Sequence, residues 1–76
     1  MKKIFITGGS GTVGTSFIEQ YHGKYKFFSY SRNEKMQVSL KRKFPDIEII
    51  LGSVEDKLAL QTSVAKIKPD IIIHAA

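Results

Sequence analysis

The sequence predicts an α/β domain with a parallel, doubly wound sheet, and three features support this prediction. Short apolar runs alternate strictly with segments of helical periodicity. The segments between the runs are long enough to form right-handed helical crossovers between parallel strands. A glycine-rich turn separates the first apolar run from the first helical segment. Four strands connected in this way are expected in the order 3-2-1-4, the N-terminal half of a doubly wound sheet.

The first third of the chain supplies a strand, a helix and a second strand. Residues Lys3–Thr7 form a continuous apolar run, as expected for a strand buried on both faces. Gly23 is expected to end the following helix, and Lys26–Ser31 is predicted as the second strand. The helix between these strands carries one apolar stripe, formed by Val13, Phe17, Ile18 and Tyr21.

The second helix is predicted to begin at a capping box. Ser31 and Glu34 have the spacing at which a side-chain oxygen and a carboxylate satisfy the first helical amides. Pro45 ends the helix, and Ile47–Leu51 is predicted as the third strand. The apolar stripe of this helix consists of Met36, Leu40 and Phe44.

A third helix and a fourth strand follow. Gly52 turns the chain, and Ser53 and Asp56 again have capping spacing. Pro69 closes the helix, and Asp70–His74 is predicted as a strongly apolar strand at an unpaired edge of the sheet. We therefore expect residues 1–76 to be part of a larger sheet. The apolar stripe of the third helix consists of Leu60, Val64 and Ile67.

The composition argues against several partners. The chain has 12 Lys and Arg residues against 7 Asp and Glu residues, a net charge of +5. The cations are dispersed over element ends and helix faces, so a nucleic-acid partner is not expected. No apolar run approaches the roughly 20 residues of a membrane span, and Cys is absent. We expect a cytoplasmic protein with neither a membrane partner nor a metal site.

The glycine-rich turn predicts a phosphate site because it lies between a strand and a helix. Gly8 permits a tight turn with positive φ, Gly11 admits a pyrophosphate close to the backbone, and Gly14 allows close packing of helix on strand. A P-loop would need Lys after the last glycine, whereas this chain has Thr15. The pattern predicts an NAD(P)-binding, Rossmann-like site whose residues here are Thr7, Gly8, Gly11, Thr12, Val13 and Gly14.

The end of the second strand favours NADP. An acidic residue there would bind the ribose 2′-hydroxyl of NAD, but the chain has Ser31 and Arg32. An Arg guanidinium can hold a 2′-phosphate with two hydrogen bonds, and Lys35 adds a further positive charge. The predicted cofactor residues in this region are Ser31, Arg32, Asn33, Glu34 and Lys35.

The motifs resemble those of extended short-chain dehydrogenases/reductases over all 76 residues. The glycine turn reads Thr7-Gly8-x-x-Gly11-x-x-Gly14, and the Leu51–Val54 turn and the terminal Ile73-His74-Ala75-Ala76 follow in the right order. The run from Tyr30 to Lys35 followed by Gln37 is similar to that of nucleotide-sugar 4,6-dehydratases of polysaccharide biosynthesis, the inverting UDP-N-acetylglucosamine group.

This resemblance implies further cofactor contacts. Ser53 and Val54 would lie beside the adenine, although the family usually has Asp where Ser53 stands. The family also tends to have Asp at Asn33 and often Lys at Met36, which implies a weaker grip on a 2′-phosphate. Ala75 would lie near the nicotinamide half, and His74 is expected to hold local backbone.

The resemblance also implies a function. The chain would be the NADP-binding portion of a nucleotide-sugar dehydratase that acts on UDP-N-acetylglucosamine-like substrates, is a homo-oligomer when complete and lacks catalytic residues within these 76 positions. The catalytic Tyr-x-x-x-Lys pair would lie beyond Ala76. A sugar-nucleotide epimerase or reductase of the same superfamily and a non-catalytic NADP-binding regulator are the alternatives.

Overall fold

A computed structural model describes residues 1–75, in which one parallel sheet is flanked by three helices. The strands stand in the order β3-β2-β1-β4, so the predicted fold class and strand order are confirmed. Among residues 1–75, no helix has the length and apolar character needed to cross a membrane. The elements are β1 (Lys3–Thr7), α1 (Thr12–Tyr21), β2 (Lys26–Ser31), α2 (Glu34–Lys43), β3 (Glu48–Leu51), α3 (Lys57–Ile67) and β4 (Ile71–His74).

Two strands begin one residue later than predicted. The amide of Ile47 donates to the carbonyl of Phe44 at 3.2 Å, so it belongs to the turn that follows α2 rather than to β3. The carboxylate of Asp70 accepts from the amide of Lys3 at 2.7 Å. The Asp70 amide in turn donates to the Lys3 carbonyl at 2.9 Å, and β4 begins at the next residue, Ile71.

The two faces of the sheet are packed unequally. The face toward α1 and α2 carries the main apolar cluster, whereas the opposite face buries Phe5 and Tyr30, whose rings lie 5.6 Å apart. Helix α3 contributes no fully buried residue, and its predicted stripe is only partly buried. On β4, Ile72 is 57% exposed. The main cluster consists of Ile4, Ile6, Ile18, Phe27, Leu40, Phe44 and Ile47.

Helix α2 begins at Glu34, and the prediction that Ser31 caps it is wrong. The Asn33 side chain is the cap, accepting from the amide of Met36 at 3.1 Å. The hydroxyl of Ser31 instead accepts from the amide of Asn33 at 3.2 Å, which forms a local turn before the helix.

The start of α3 repeats this pattern. Asp56 is the cap and accepts from the amide of Ala59 at 3.1 Å, so the expectation that Ser53 opens the helix is wrong. The hydroxyl of Ser53 accepts from the amide of Glu55, again two residues onward. Both helices therefore start later than their serines suggested.

Two apolar positions predicted to face the core do not. Val13 is 70% exposed because it lies in the first turn of α1, beyond the ends of the strands, and Met36 is 45% exposed. On α2 the buried neighbour is Gln37, which is fully enclosed. The helix end near Gly23 also differs: α1 is closed by His22, and Gly23 has no positive φ.

Candidate functional site

The candidate site lies at the carboxyl ends of the strands, where ligands bind in open α/β sheets. Three segments meet there: the glycine turn after β1, the β2–α2 junction and the loop between β3 and α3. They enclose a cleft of about 230 Å³. Its lining consists of Gly8, Tyr30, Ser31, Arg32, Gly52, Ser53, Val54 and Glu55. Five of these residues belong to the site predicted from the sequence.

The glycine turn is a closed loop anchored to β2. Gly8 has φ 75°, the positive value predicted for it. Its amide donates to the carbonyl of Tyr30 at 3.1 Å, and its own carbonyl accepts from the amide of Gly11 at 3.0 Å. The first bond holds the turn against the end of β2, and the second closes the turn on itself.

Two glycines allow close packing within this turn. A Cβ on Gly14 would lie 2.6 Å from the Gly8 carbonyl oxygen and 2.6 Å from the Gly9 Cα. Gly14 therefore packs α1 against the turn itself, rather than against a strand as predicted. The contact with a strand is made by Gly9, because a Cβ there would overlap the Oγ of Ser29 on β2.

The N-terminus of α1 is suited to an anion. Gly11 is the N-cap, no side chain caps the helix, and the first turn contains no acidic residue. Thr12 and Val13, the first two helical residues, are exposed. Helix N-terminal amides and the positive end of the helix dipole attract phosphate. A Cβ on Gly11 would meet only the Gly8 carbonyl, at 3.3 Å, so the space beside this turn is otherwise open.

At the end of β2, the predicted residues are distributed over different surfaces. Ser31 and Arg32 line the cleft, and the Ser31 Oγ accepts from the hydroxyl of Ser10 at 3.4 Å. Lys35 lies in a neighbouring cleft of about 350 Å³ between α1 and α2, which Ser10 also lines. Lys35 and Arg32 therefore line different clefts, whose linings touch where Ser10 bonds Ser31.

Two further residues of this segment lie outside the 230 Å³ cleft. The Asn33 side chain is occupied in capping α2, and Glu34 lies on the exposed surface of that helix. Neither is brought together with Arg32 in the lining. The charged residues that line the cleft are Arg32 and Glu55.

Tyr30 is a site residue that the sequence analysis did not single out. Its hydroxyl donates to the carbonyl of Ser53 at 2.9 Å, which ties the end of β2 to the loop that carries Ser53 and Val54. Burial raises the pKa of Tyr30, and the nearby Asp56 carboxylate raises it further. A Cβ on Gly52 would lie 2.6 Å from the Tyr30 Cζ, so the ring requires glycine there. The available signal was a glycine directly after β3.

The β4 side of the site has a different construction. The Thr7 hydroxyl lies 2.5 Å from the Nδ1 of His74, and Thr7 is only 3% exposed. His74 therefore bonds a side chain, and the expectation that it holds backbone is wrong. Ala75 donates its amide to the Thr7 carbonyl at 2.9 Å but does not line the cleft. Ala76, the last residue of the terminal motif, lies outside the described residues.

No group of three or more His, Cys, Asp or Glu residues within 1–75 could hold a metal ion. The glycine turn and the cleft offer backbone amides, hydroxyls, the Arg32 guanidinium and the Glu55 carboxylate. That combination suits a phosphorylated nucleotide, with its anionic part at the glycine turn and its base in the cleft.

Comparison with known proteins bears on this geometry. Residues 4–76 match the family model described as "Polysaccharide biosynthesis protein". UDP-N-acetylglucosamine 4,6-dehydratase (inverting) of Campylobacter jejuni is 34% identical over 80 residues, covering 99% of this chain and 23% of the relative. Sterol-4-alpha-carboxylate 3-dehydrogenase, decarboxylating, of Dictyostelium discoideum is 34% identical over 77 residues, covering 100% of this chain and 22% of the relative.

A solved structure agrees with the fold. The Bordetella bronchiseptica enzyme WbmG, in complex with NAD and UDP, superimposes with a TM-score of 0.84 at 26% identity. The match covers 96% of this chain and 24% of WbmG. The chain thus spans about a quarter of the length of the proteins it matches.

Proposed function

This chain belongs to the polysaccharide biosynthesis protein family, and from that membership we propose that it is the NADP-binding portion of a nucleotide-sugar 4,6-dehydratase. The substrate is a UDP-N-acetylglucosamine-like sugar nucleotide, used in the synthesis of surface polysaccharide. The Campylobacter dehydratase and the UDP-containing WbmG structure support this substrate class. Residues 1–76 form the N-terminal part of one dinucleotide-binding domain.

The observation that carries the proposal is the uncapped start of α1 beside the cleft. The exposed helix N-terminus offers amides to an anion, and the cleft of about 230 Å³ opens on the same edge of the sheet. A dinucleotide has this bipartite chemistry, because its pyrophosphate and its adenosine need adjacent but different surroundings.

The proposed contacts combine this arrangement with the resemblance to extended short-chain dehydrogenases/reductases, which supplies the places of the adenine and the nicotinamide. The pyrophosphate binds the amides of the glycine turn and of Thr12 and Val13. The adenosine occupies the cleft beside Ser53 and Val54, where a Ser hydroxyl can accept a hydrogen bond from the adenine amine. The nicotinamide half extends toward Ala75 at the end of β4. When bound, the nicotinamide ring supplies hydride transfer; residues 1–75 bind and orient the cofactor.

We assign the cofactor as NADP on the basis of charge. Arg32 lines the cleft at the end of β2, where an NAD-selective site would have a carboxylate. The carboxylate of Glu55 also lines the cleft, but it follows β3 and is not at that position. Ser31 lies beside Arg32 and can donate a further hydrogen bond to a 2′-phosphate. WbmG was solved with NAD, so the test compares both cofactors.

A dehydrogenase or reductase of the same superfamily is the second candidate, because the Dictyostelium relative is a sterol-carboxylate dehydrogenase. In either case the catalytic Tyr-x-x-x-Lys pair lies beyond Ala76. The dehydratase works in the cytoplasm as a homo-oligomer. A polypeptide that binds NADP but carries no such pair would be a regulator instead.

The test uses the complete polypeptide that contains these residues. Calorimetric titration should show NADP binding at least tenfold tighter than NAD, and incubation with UDP-N-acetylglucosamine should yield a 4-keto-6-deoxy product. Absence of dinucleotide binding would overturn the proposal. Binding with no turnover of UDP-sugars would support the regulator, and oxidation of the substrate without loss of water would support the dehydrogenase.

A further inference from the structure

Gln37 is a polar residue enclosed in the core. It is 0% exposed, although it lies on a helix whose outer surface is strongly charged. Its Oε1 accepts from the Ser29 hydroxyl at 2.7 Å, and its Nε2 donates to the carbonyls of Ser29 at 2.7 Å and Ile50 at 3.1 Å. The side-chain amide is thus satisfied entirely by β2 and β3.

These bonds reach the elements that form the candidate site. Ile50 is two residues before Gly52 at the start of the cleft-lining loop. Ser29 is one residue before Tyr30, and a Cβ on Gly9 of the glycine turn would overlap the Ser29 Oγ. Three hydrogen bonds of Gln37 therefore join α2 to β2 and β3, and Ser29 packs the same network against the glycine turn.

Apolar packing alone would not require this arrangement. An amide and a hydroxyl buried without partners would each cost about 1–3 kcal/mol, and a side chain of similar length such as Met would fill the same volume. A fully satisfied buried network instead fixes one relative position of the elements it joins. Here those elements carry the pyrophosphate-binding turn on one side and the adenosine cleft on the other.

We propose that Gln37 and Ser29 are positioning residues for the dinucleotide, which set the distance between the glycine turn and the cleft before the ligand binds. This inference rests on the proposed function. A ligand that spans both places requires that distance to be correct, since misplaced groups lose part of their binding energy.

The experiment compares Gln37→Met with Phe44→Leu in the complete polypeptide. Phe44 is 5% exposed and is the C-cap residue of the same helix, but it lies at the opposite end of the sheet. Denaturant unfolding first shows that each variant is folded at the temperature of the binding experiment. Calorimetry then measures the affinities for NADP and NAD. Gln37→Met should bind both dinucleotides at least tenfold more weakly, whereas Phe44→Leu should bind them as the wild type does.

Each outcome is decisive. If folded Gln37→Met binds the dinucleotides as tightly as the wild type does, the inference is overturned and the Ser29–Gln37 pair serves stability alone. The proposed function would still stand, because it depends only on dinucleotide binding by the wild-type protein. Equal losses in Gln37→Met and Phe44→Leu would also overturn it. If Gln37→Met does not fold, Ser29→Ala, which removes one hydroxyl, should show a smaller loss of affinity in the same direction. Failure of the wild type to bind either dinucleotide would refute the proposed function itself.

Discussion

Gly11 and Gly14 belong to the same motif, but we expect Ala at Gly14 to lower the stability of the fold and Ala at Gly11 to lower cofactor affinity. A Cβ on Gly14 would lie 2.6 Å from two backbone atoms of the glycine turn. Carbon atoms pack at roughly 3.5 Å, so the turn would have to move by about 0.9 Å. Such overpacking costs about 3 kcal/mol, and the higher helix propensity of Ala returns about 1 kcal/mol. Gly14→Ala should therefore lower the free energy of unfolding by about 2 kcal/mol.

Gly11→Ala should leave the fold almost unchanged. Gly11 has φ −80°, which every residue adopts, and its added Cβ would meet only the Gly8 carbonyl at 3.3 Å. Replacing Gly by Ala at an N-cap costs less than about 1 kcal/mol. The methyl group would, however, occupy the open space through which a pyrophosphate approaches the amides. We expect NADP affinity to fall at least tenfold, which corresponds to about 1.4 kcal/mol.

The assay pairs denaturant unfolding with calorimetric titration of NADP on both variants of the complete polypeptide. Gly11→Ala should lose affinity with a near-native unfolding midpoint, and Gly11→Val, with a larger branched side chain, should abolish binding. Unchanged NADP affinity in a folded Gly11→Ala protein would refute the assignment of this turn to the pyrophosphate. A Gly14→Ala protein of wild-type stability would refute the packing argument.

Four further results are expected. Arg32→Ala should weaken NADP binding at least tenfold while changing NAD binding less than threefold. Equal changes in the two affinities would show that Arg32 does not bind the 2′-phosphate. Asn33→Ala should lower the unfolding free energy by about 1 kcal/mol in urea, because α2 loses its cap; an unchanged midpoint would contradict that role. Burial raises the pKa of Tyr30 above 10.0, so its contribution to stability is complete below pH 10.0 and is lost as pH rises through the folded-state pKa. Tyr30→Phe should therefore show a shallower alkaline decline of the unfolding free energy than wild type, and identical declines would contradict this. Residues 1–76 on their own should show no turnover of UDP-N-acetylglucosamine, should unfold over a broad temperature range and should aggregate readily. A sharp unfolding transition in a monomer would contradict this prediction.

The elements that the sequence predicted correctly depend on local patterns. Strand β1 matches its predicted bounds because three apolar residues, Ile4, Phe5 and Ile6, follow one another, and the turn at Gly8 is marked by a conformation that glycine favours. Strand order follows from connection handedness, which the alternation of elements determines. These features require no knowledge of which side chains meet.

The features that the sequence analysis missed depend on competition or on distant partners. Ser31 and Asn33 are both good caps, and only the folded chain shows that the serine hydroxyl is used in a preceding turn. The bond from Tyr30 to the Ser53 carbonyl spans 23 residues, and no periodic pattern identifies such a pair. Gln37 likewise occupies a buried position beside the apolar stripe of α2, because its side-chain amide bonds to carbonyls of β2 and β3.

The unequal packing of the sheet gives the two walls of the cleft different local stability. Arg32 stands at the end of a central strand, whereas Ser53 and Val54 lead into a helix with no fully buried residue. Amide hydrogen exchange in α3 should accordingly be fast, because little apolar surface opposes its local opening. A nucleotide held between the walls would slow that exchange by restricting the loop. Cofactor binding and the local opening of α3 would then be coupled equilibria. A substitution at Leu60 or Val64 on α3 would lower cofactor affinity by lowering the fraction of molecules in which Ser53 and Val54 are held in place.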